Sequence, residues 1–506
     1  MQSYRLPSLD GNSLCNDGTA PASVWLVFLA RPFTRLKNKG MKLIKLFSGG
    51  IKITGQIPLG LLADTTALEL VAGRRTVAGV FRFDGGYKFE FTSSRRVLWA
   101  TVYALSPNAG RTLLCGFLCV NLGRKGPART TNLEEQMVAL EHLQIPEVTA
   151  QRSPPAGDRP WHINWIIPDI DAGAGGLSAI FRIAHEMEAH GHRHVFWIMG
   201  RTRHENLREY VGKHFTPLDA DFRVLATADV ARIEGDLVIA SNDTSAYYVR
   251  GVGGVSAKAY LVQDYEPLFY PAGAYALTSE KTYGFGFKLI TAGAWLHGRL
   301  AGASPRPVRS YDLPHDPAAY FAPTTSSKYT AKVIRPRRHI SFYARATTCR
   351  RAVSLGLCAF KILALRRSDF TVHLFGQTHC SPRLPFPFEE HGVLSPAELG
   401  ELYRRCDVGV VFSATNHSLV PHEMMACGLP VVELAGAQNQ AVYSPGCIVL
   451  AEPDPAAIAE AVEKLLDETS HAEAVRLAGY AQIKGRSWAR SAAAVEAALG
   501  EALRGD

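Results

Sequence analysis

The chain reads as α/β: two domains in which buried strands alternate with helices, preceded by a small β-rich segment. Three observations carry this. Over residues 160–500, short continuous apolar runs recur between polar, glycine-bearing turns, the mark of parallel strands covered on both faces. Helical spacing follows most of those runs, as βαβ units require. Before residue 122 the texture differs, with apolar residues alternating at period two around tight-turn residues, the pattern of antiparallel hairpins.

Length and composition set the frame. At 506 residues the chain exceeds a single core and divides into several domains. The expected boundaries are an irregular basic leader at 1–40, a β-rich accessory domain at 41–150, α/β domains at 151–330 and 331–480, and a carboxyl-terminal helix at 481–506. Nowhere does the chain reach the roughly eighteen consecutive apolar residues of a membrane span. Nine scattered cysteines do not make a disulfide framework in a chain this size, and no signal peptide is evident, so reduced thiols in a cytoplasm are expected. The close pairs Cys115/Cys119 and Cys349/Cys358 lack zinc-like partners and read as small buried hydrophobes.

A net charge of +9 attracts anions. The stretch between Asp17 and Asp64 holds no acid, while Arg31, Arg35, Lys37, Lys39, Lys42, Lys45 and Lys52 crowd beside Trp25, Leu26, Phe28 and Phe33. Such interleaving suits peripheral contact with an anionic bilayer; a solvated basic leader has the same composition. Nucleic acid is not expected as a partner, because the arginines are dispersed over α/β loops without a recognition motif.

Taken in order, Phe81-Arg82-Phe83 and Tyr87 to Phe91 flank Asp84-Gly85-Gly86 as a hairpin, and residues 97–105 and 112–120 supply two more strands. Helical spacing covers 132–143, and QRSPPAGDRP at 151–160 is a linker by composition. Residues 162–168 then form a strand, DIDAGAGG at 169–176 a glycine turn, 177–190 a helix and 194–199 a strand. This βαβ opening presents backbone amides at a helix start, ready for an anion. It lacks dinucleotide-fingerprint spacing, and Asp169 with Asp171 reads more readily as capping than as a metal pair. Strands follow at 222–225, 237–240, 259–262 and 289–291. The third ends in Gln263-Asp264-Tyr265-Glu266-Pro267, a polar cluster that can bind substrate hydroxyls or take a proton beside the aromatics Tyr265, Phe269 and Tyr270, or serve only as helix capping and turn chemistry. Residues 301–338 form a connection.

The second α/β domain opens with a strand at 339–343, the basic loop RATTCRR at 345–351, a helix at 352–365 and a strand at 371–375. Arginines between a strand and a helix start make a phosphate cradle. A helix at 396–405 and a strand at 407–412 lead into VFSATNHSLVPHEMMACGLPVVE at 411–433. There a polar loop and Glu423 lie between two buried strands, at the sheet edge where open α/β folds bind ligands.

ISFYARATTCRRAVSLGL, FTVHLFG and SATNHSLVPHEMMACGLPVVEL resemble the nucleotide-sugar domain of GT-B glycosyltransferases of the retaining family 4 type, most similar to WsaF-like bacterial rhamnosyltransferases. YLVQDYEPLFYPAGAYAL and FGFKLITAGAWL are similar to that group's first domain, so the likeness covers roughly residues 160–500. It implies two Rossmann-like domains facing a cleft, with the terminal helix after Gly485 crossing back and Trp488 as its anchor. It implies transfer of a sugar, L-rhamnose from dTDP-L-rhamnose, with retention, onto a bacterial surface polysaccharide. The donor is a substrate, and no metal or other cofactor is implied. By the same likeness Glu423 holds the ribose, Arg345 and Arg350 hold the diphosphate, and Gly175 with Gly176 lies under the phosphates. Thr415, Asn416, Ser418 and Leu419 face sugar and diphosphate, and Asp264 and Glu266 are the candidates for acceptor positioning. Two departures stand out: Thr415 replaces an acid eight positions before Glu423, and Gln263 replaces a histidine. Thr415, together with the extra β-rich domain, leaves a second expectation, a catalytically silent carbohydrate-binding subunit. The enzyme is expected in the cytoplasm, peripheral on the inner face of the plasma membrane, with a glycan or lipid-linked glycan as acceptor.

Overall fold

The computed structural model describes residues 140–150, 152–155, 157, 159–322, 337–378 and 383–506, and the backbone of nine strands between residues 25 and 120. Contacts divide the chain into two units, at Val138 and Ala139. In the first unit, Trp25–Val27 (β1), Ala67–Ala72 (β4), Arg75–Val77 (β5), Val97–Ser106 (β8) and Gly110–Val120 (β9) form one sheet in the order β1-β9-β8-β4-β5. Ile44–Phe47 (β2), Gly50–Pro58 (β3), Val80–Phe83 (β6) and Gly86–Ser93 (β7) form another, in the order β2-β3-β7-β6. Phe83 pairs with Gly86 in the β6/β7 ladder. A strand, β1, falls within the stretch expected to be irregular, paired antiparallel to β9. The rest of the leader, and residues 132–139 of the expected helix, lie outside the described residues.

In the second unit the apolar runs become parallel strands because both faces are covered. His162–Ile167 (β10) is buried at every position after its first, and Leu237–Ala240 (β13) and Lys288–Ala292 (β15) throughout. With Arg193–Met199 (β11), Asp221–Leu225 (β12), Ala257–Val262 (β14) and Arg309–Tyr311 (β16) they form a seven-stranded sheet in the order β12-β11-β10-β13-β14-β15-β16. A second parallel sheet runs β19-β18-β17-β20-β21-β22, from Arg338–Tyr343 (β17), Phe370–Phe375 (β18), Phe388–Gly392 (β19), Val408–Val410 (β20), Val431–Leu434 (β21) and Val449–Ala451 (β22). Each sheet reverses its direction of growth at its first strand, so each carries a ligand-binding switch point at the carboxyl ends of its central strands.

The glycine turn feeds helix Gly175–Glu188 (α1), whose Leu177, Ile180, Phe181, Ile183 and Ala184 enter the first core. The last helix of the chain, Trp488–Arg504, packs on that same core through Trp488, Val495, Leu499 and Leu503. Burying such side chains is worth roughly 1.5–3 kcal/mol each. Lys288, 1 % exposed, pairs with Glu501 of that helix at 2.6 Å. Of the linker expected at 151–160, Arg152 donates a backbone bond to Val255, as Val148 just before it does to Arg250. Ala319 and Tyr320 pack in the core of the second domain.

Candidate donor site between the two sheets

The 411–418 loop is held at its base by a buried acid. Glu433, fully buried in β21, accepts from the backbone N–H groups of Ser413 at 2.8 Å and Leu434 at 2.9 Å. Arg351 donates to the Ser413 hydroxyl at 2.9 Å, and Gln438 to the Ser413 carbonyl at 2.9 Å. Burial pushes the Glu433 carboxyl up to about 7. Sequence reading assigned Glu433 no role, although an acid inside the apolar run Val431-Val432-Glu433-Leu434 is itself the signal, since a buried carboxyl is kept only where it has partners.

The tip of this loop reaches the first sheet. The Asn416 amide donates to the carbonyls of Gln263 at 2.9 Å and Ala292 at 3.2 Å, which end β14 and β15. His417 donates from Nδ1 to Asn416 Oδ1 at 3.1 Å. Its ring lies on Gly293, where a Cβ would come 2.4 Å from Cε1. Gly293 has φ +83° and leaves no room for a side chain, so glycine is required there on both counts. Ser418 accepts from the Ser413 hydroxyl at 3.3 Å. Leu419 begins helix Leu419–Ala426 (α8 in a count that adds Leu207–His214, Asp243–Gly251, Ala274–Lys281, Ala294–Leu300, Val353–Arg366 and Pro396–Arg405 after α1). It packs against the first domain's core and lies 3.9 Å from where a Gly175 Cβ would stand. The Gln263 amide lies over Gly176, 3.3 Å from its Cβ position.

The arginines face the same place. Arg345 donates to the Gly173 carbonyl in the glycine turn at 3.0 Å. Arg350 sets its guanidinium 4.3 Å over the Phe269 ring and its Nε 3.4 Å from the Asp264 carboxylate. Burial pushes the Asp264 carboxyl above the usual carboxylate range, and Arg350 pulls it back. The Thr415 hydroxyl, buried, sits beside this carboxylate and also lowers its pKa, without completing a hydrogen bond of ordinary geometry. Gln377 holds the arginine loop by accepting from the Thr347 N–H and hydroxyl at 3.0 and 3.1 Å. At the loop's end Ala352 has φ 42° as it enters helix Val353–Arg366. A non-glycine residue in this left-handed region costs about 1–3 kcal/mol and recurs at ligand sites.

The two remaining acids stand apart from this cluster. Glu423, half-buried in α8, accepts from the Tyr320 hydroxyl. Burial, resisted by that bond and aided by Asp316, pushes its carboxyl up to about 7; the groups that act on it do not include the arginines. Tyr320 was not foreseen, because it lies about a hundred residues upstream in the connection. Glu266 was expected to position an acceptor, but the structure puts it inside the fold. It is 3 % exposed, accepts from the Tyr260 hydroxyl and donates its own backbone N–H to the Tyr283 hydroxyl at 3.1 Å, and burial pushes its carboxyl well above the usual carboxylate range. A pocket of the first domain has Asp243, Thr244, Tyr247, Tyr270, Tyr275 and Thr278 among its lining residues.

Comparison with known proteins bears on this geometry. Residues 338–463 match the family model described as WsaF, C-terminal domain. The O-antigen biosynthesis protein RfbC of Myxococcus xanthus is 32 % identical over 375 residues, 67 % of this chain and 28 % of that protein. This chain thus spans less than a third of the curated relative it matches. Among solved structures, Anabaena Alr3699/HepE in complex with UDP-glucose superposes with a TM-score of 0.53 at 14 % identity, over 68 % of this chain and 100 % of that one. Sucrose-phosphate synthase from Thermosynechococcus elongatus does so at 0.53 and 14 %, over 69 % and 100 %. The fold of the second unit is GT-B.

Proposed function

We propose that this chain, WsaF-like and GT-B in fold, is a glycosyltransferase that moves a sugar from a nucleotide-sugar donor onto a bacterial surface polysaccharide. The observation that carries this is the meeting of Arg345, Arg350, the glycine turn and the 415–419 loop at the facing carboxyl ends of two parallel sheets. The relative from Myxococcus, an O-antigen biosynthesis protein by name, points to the same product class, and the HepE complex places UDP-glucose on the same fold.

Breaking the bond between sugar and nucleoside diphosphate puts negative charge on phosphate and oxocarbenium character on carbon, so diphosphate stabilisation is the largest lever. Arg345 and Arg350 supply paired guanidinium donors, and the glycine turn ahead of α1 supplies amides without side chains in the way. Glu423 takes the ribose hydroxyls, exchanging its Tyr320 partner for them. Asp264 lies next to the reacting end and orients the acceptor hydroxyl. The tyrosine pocket of the first domain, with Asp243 and two threonines, suits stacking and hydrogen bonding to an acceptor glycan. Retention follows from attack on the face the diphosphate leaves, with the phosphate as base. We take dTDP-L-rhamnose as the donor, from the WsaF likeness, and a metal-independent reaction, from the arginines. The basic leader would hold the enzyme against the inner face of the plasma membrane, near a lipid-linked acceptor. Among the described residues no helix is long and apolar enough to cross a membrane.

The test is incubation of the full chain with dTDP-L-rhamnose and other nucleotide sugars plus acceptor glycan, with EDTA in one arm. Product formation that survives EDTA and disappears in Arg350→Ala supports the proposal. A second assignment, a silent carbohydrate-binding subunit, draws on Thr415 standing where an acid is expected; glycan binding without turnover of any donor would establish it instead.

A further inference from the structure

On the second sheet, three neighbouring strands place histidines and an acid on one face. The ladder sets Ser341 of β17 opposite His373 of β18, and His373 opposite Glu389 of β19. Paired residues in a sheet project to the same side, and so does a residue two further on, which adds His391 beside Glu389 and His339 beside Ser341. His373 Nδ1 is 2.9 Å from His391 Nε2 and 3.3 Å from a Glu389 carboxylate oxygen, and that oxygen is 3.9 Å from His391 Nε2. Three donor atoms with these separations surround a single point. Ligands about 2.0–2.2 Å from a tetrahedral zinc ion lie roughly 3.3–3.5 Å from one another, close to the mean of the three. The other ring nitrogen of His373 is 2.8 Å from His339 Nδ1. A ligating histidine is usually oriented by such an outer partner.

We propose that His373, His391 and Glu389 bind a divalent cation of the zinc class, with His339 fixing the His373 tautomer and a fourth coordination position open to solvent. Exposure supports the open side: the side chains are 3 % exposed for His373, 18 % for His391 and 57 % for Glu389. The Arg405 charge acts on both histidines and opposes a cation, an effect the Glu389 carboxylate offsets. Such an ion would tie the edge strand β19 to β18.

A second trio shows what a satisfied cluster looks like. His190 and His192 reach different oxygens of Glu496 at 2.7 and 2.9 Å. The Trp161 N–H donates to His192 Nδ1 at 2.9 Å, so His192 Nε2 carries a proton and donates it. That trio is a hydrogen-bonded clasp between the last helix and the first domain.

The full chain, stripped with EDTA and dialysed, is titrated with zinc chloride against a chromogenic chelator, and melting is followed with and without zinc. The expected result is one competing site per chain and a rise in melting temperature on adding zinc. Both are lost in His391→Ala and Glu389→Gln and kept in Glu496→Gln. His339→Ala should bind roughly 10–100-fold more weakly, as outer partners do. The two ligand variants lie at the sheet edge, and their melting in EDTA should match the parent's, which separates lost binding from lost fold. Equal zinc binding and stabilisation in parent, His391→Ala and Glu389→Gln would overturn the assignment, as would no stabilisation of the parent.

Discussion

Arg350 and Asp264 meet across the two sheets, the guanidinium Nε 3.4 Å from the carboxylate, with the Phe269 ring beneath the cation. One residue ends a strand of the first domain and the other closes the basic loop of the second. The pair therefore links the domains and also occupies the arginine that the proposed reaction needs. In that proposed reaction a donor diphosphate would take Arg350 from Asp264, an exchange of one anionic partner for another.

That exchange predicts opposite effects for the two residues. Asp264→Asn should bind dTDP about fivefold more tightly, equivalent to the roughly 1 kcal/mol of a partly exposed ion pair, while product formation falls. Arg350→Ala should bind at least about tenfold more weakly. Calorimetric titration with dTDP measures both; unchanged affinity in Asp264→Asn would remove the competition.

Asn416 closes the interface through two carbonyls of the first sheet. Asn416→Ala should cost about 1–3 kcal/mol, since two bonds of roughly 1 kcal/mol each disappear and their acceptors stay partly buried. Small-angle scattering should show a larger radius of gyration, because the domains open about this contact. An unaltered radius together with unaltered stability would mean the interface rests on other contacts.

Gly293 and His417 form a coupled pair. Gly293 has φ 83° and ψ 169°, a region nearly reserved for glycine, and its open side is filled by the His417 ring. Gly293→Ala should destabilise by about 1–3 kcal/mol from the backbone alone, with the collision added. Combining it with His417→Ala should cost less than the two single changes together, because the collision is removed and the backbone cost is not. Urea unfolding of the four proteins checks this; simple additivity would contradict the packing described.

Glu433 should make stability depend on pH. Its carboxyl rises from an ordinary 4.5 to about 7 in the folded chain, so the native state binds a proton that the unfolded state releases between those values. The associated stability is complete below pH 4.5 and lost as pH climbs through 7, a change of roughly 3 kcal/mol at 1.36 kcal/mol per pH unit. Glu433→Gln, which cannot ionise, should flatten that part of the profile relative to the parent. Urea unfolding at pH 5 and pH 8 makes the comparison. The same loss of stability in both proteins would place the titration elsewhere, Glu423 being the next group to test.

Residues 237–240 and 396–405 were readable to the residue, because a fully buried run and a serine-capped amphipathic helix announce themselves locally. The edge strand Phe388–Gly392 was not, since its FEEHG sequence is largely polar and only its neighbour makes it a strand. Helix Leu207–His214 buries Val211 alone and gave almost no periodic signal. Glu266 shows the same limit at a site. QDYEP reads as a polar cluster at a strand end, yet the Glu266 carboxyl is caged by Tyr260, and Tyr283 comes from a later segment.

The amino-acid sequence by itself determined the α/β class, the strand ends that carry the polar loops, and the arginine loop and glycine turn, because apolar period, glycine turns and local charge are properties of short segments. Tertiary structure alone decided the partners: Asp264 for Arg350, the Gln263 and Ala292 carbonyls for Asn416, Tyr320 for Glu423, and the meeting of His373 with Glu389 and His391. Each of these contacts joins residues distant in the chain, and their geometry depends on how sheets and domains pack, which no local pattern encodes.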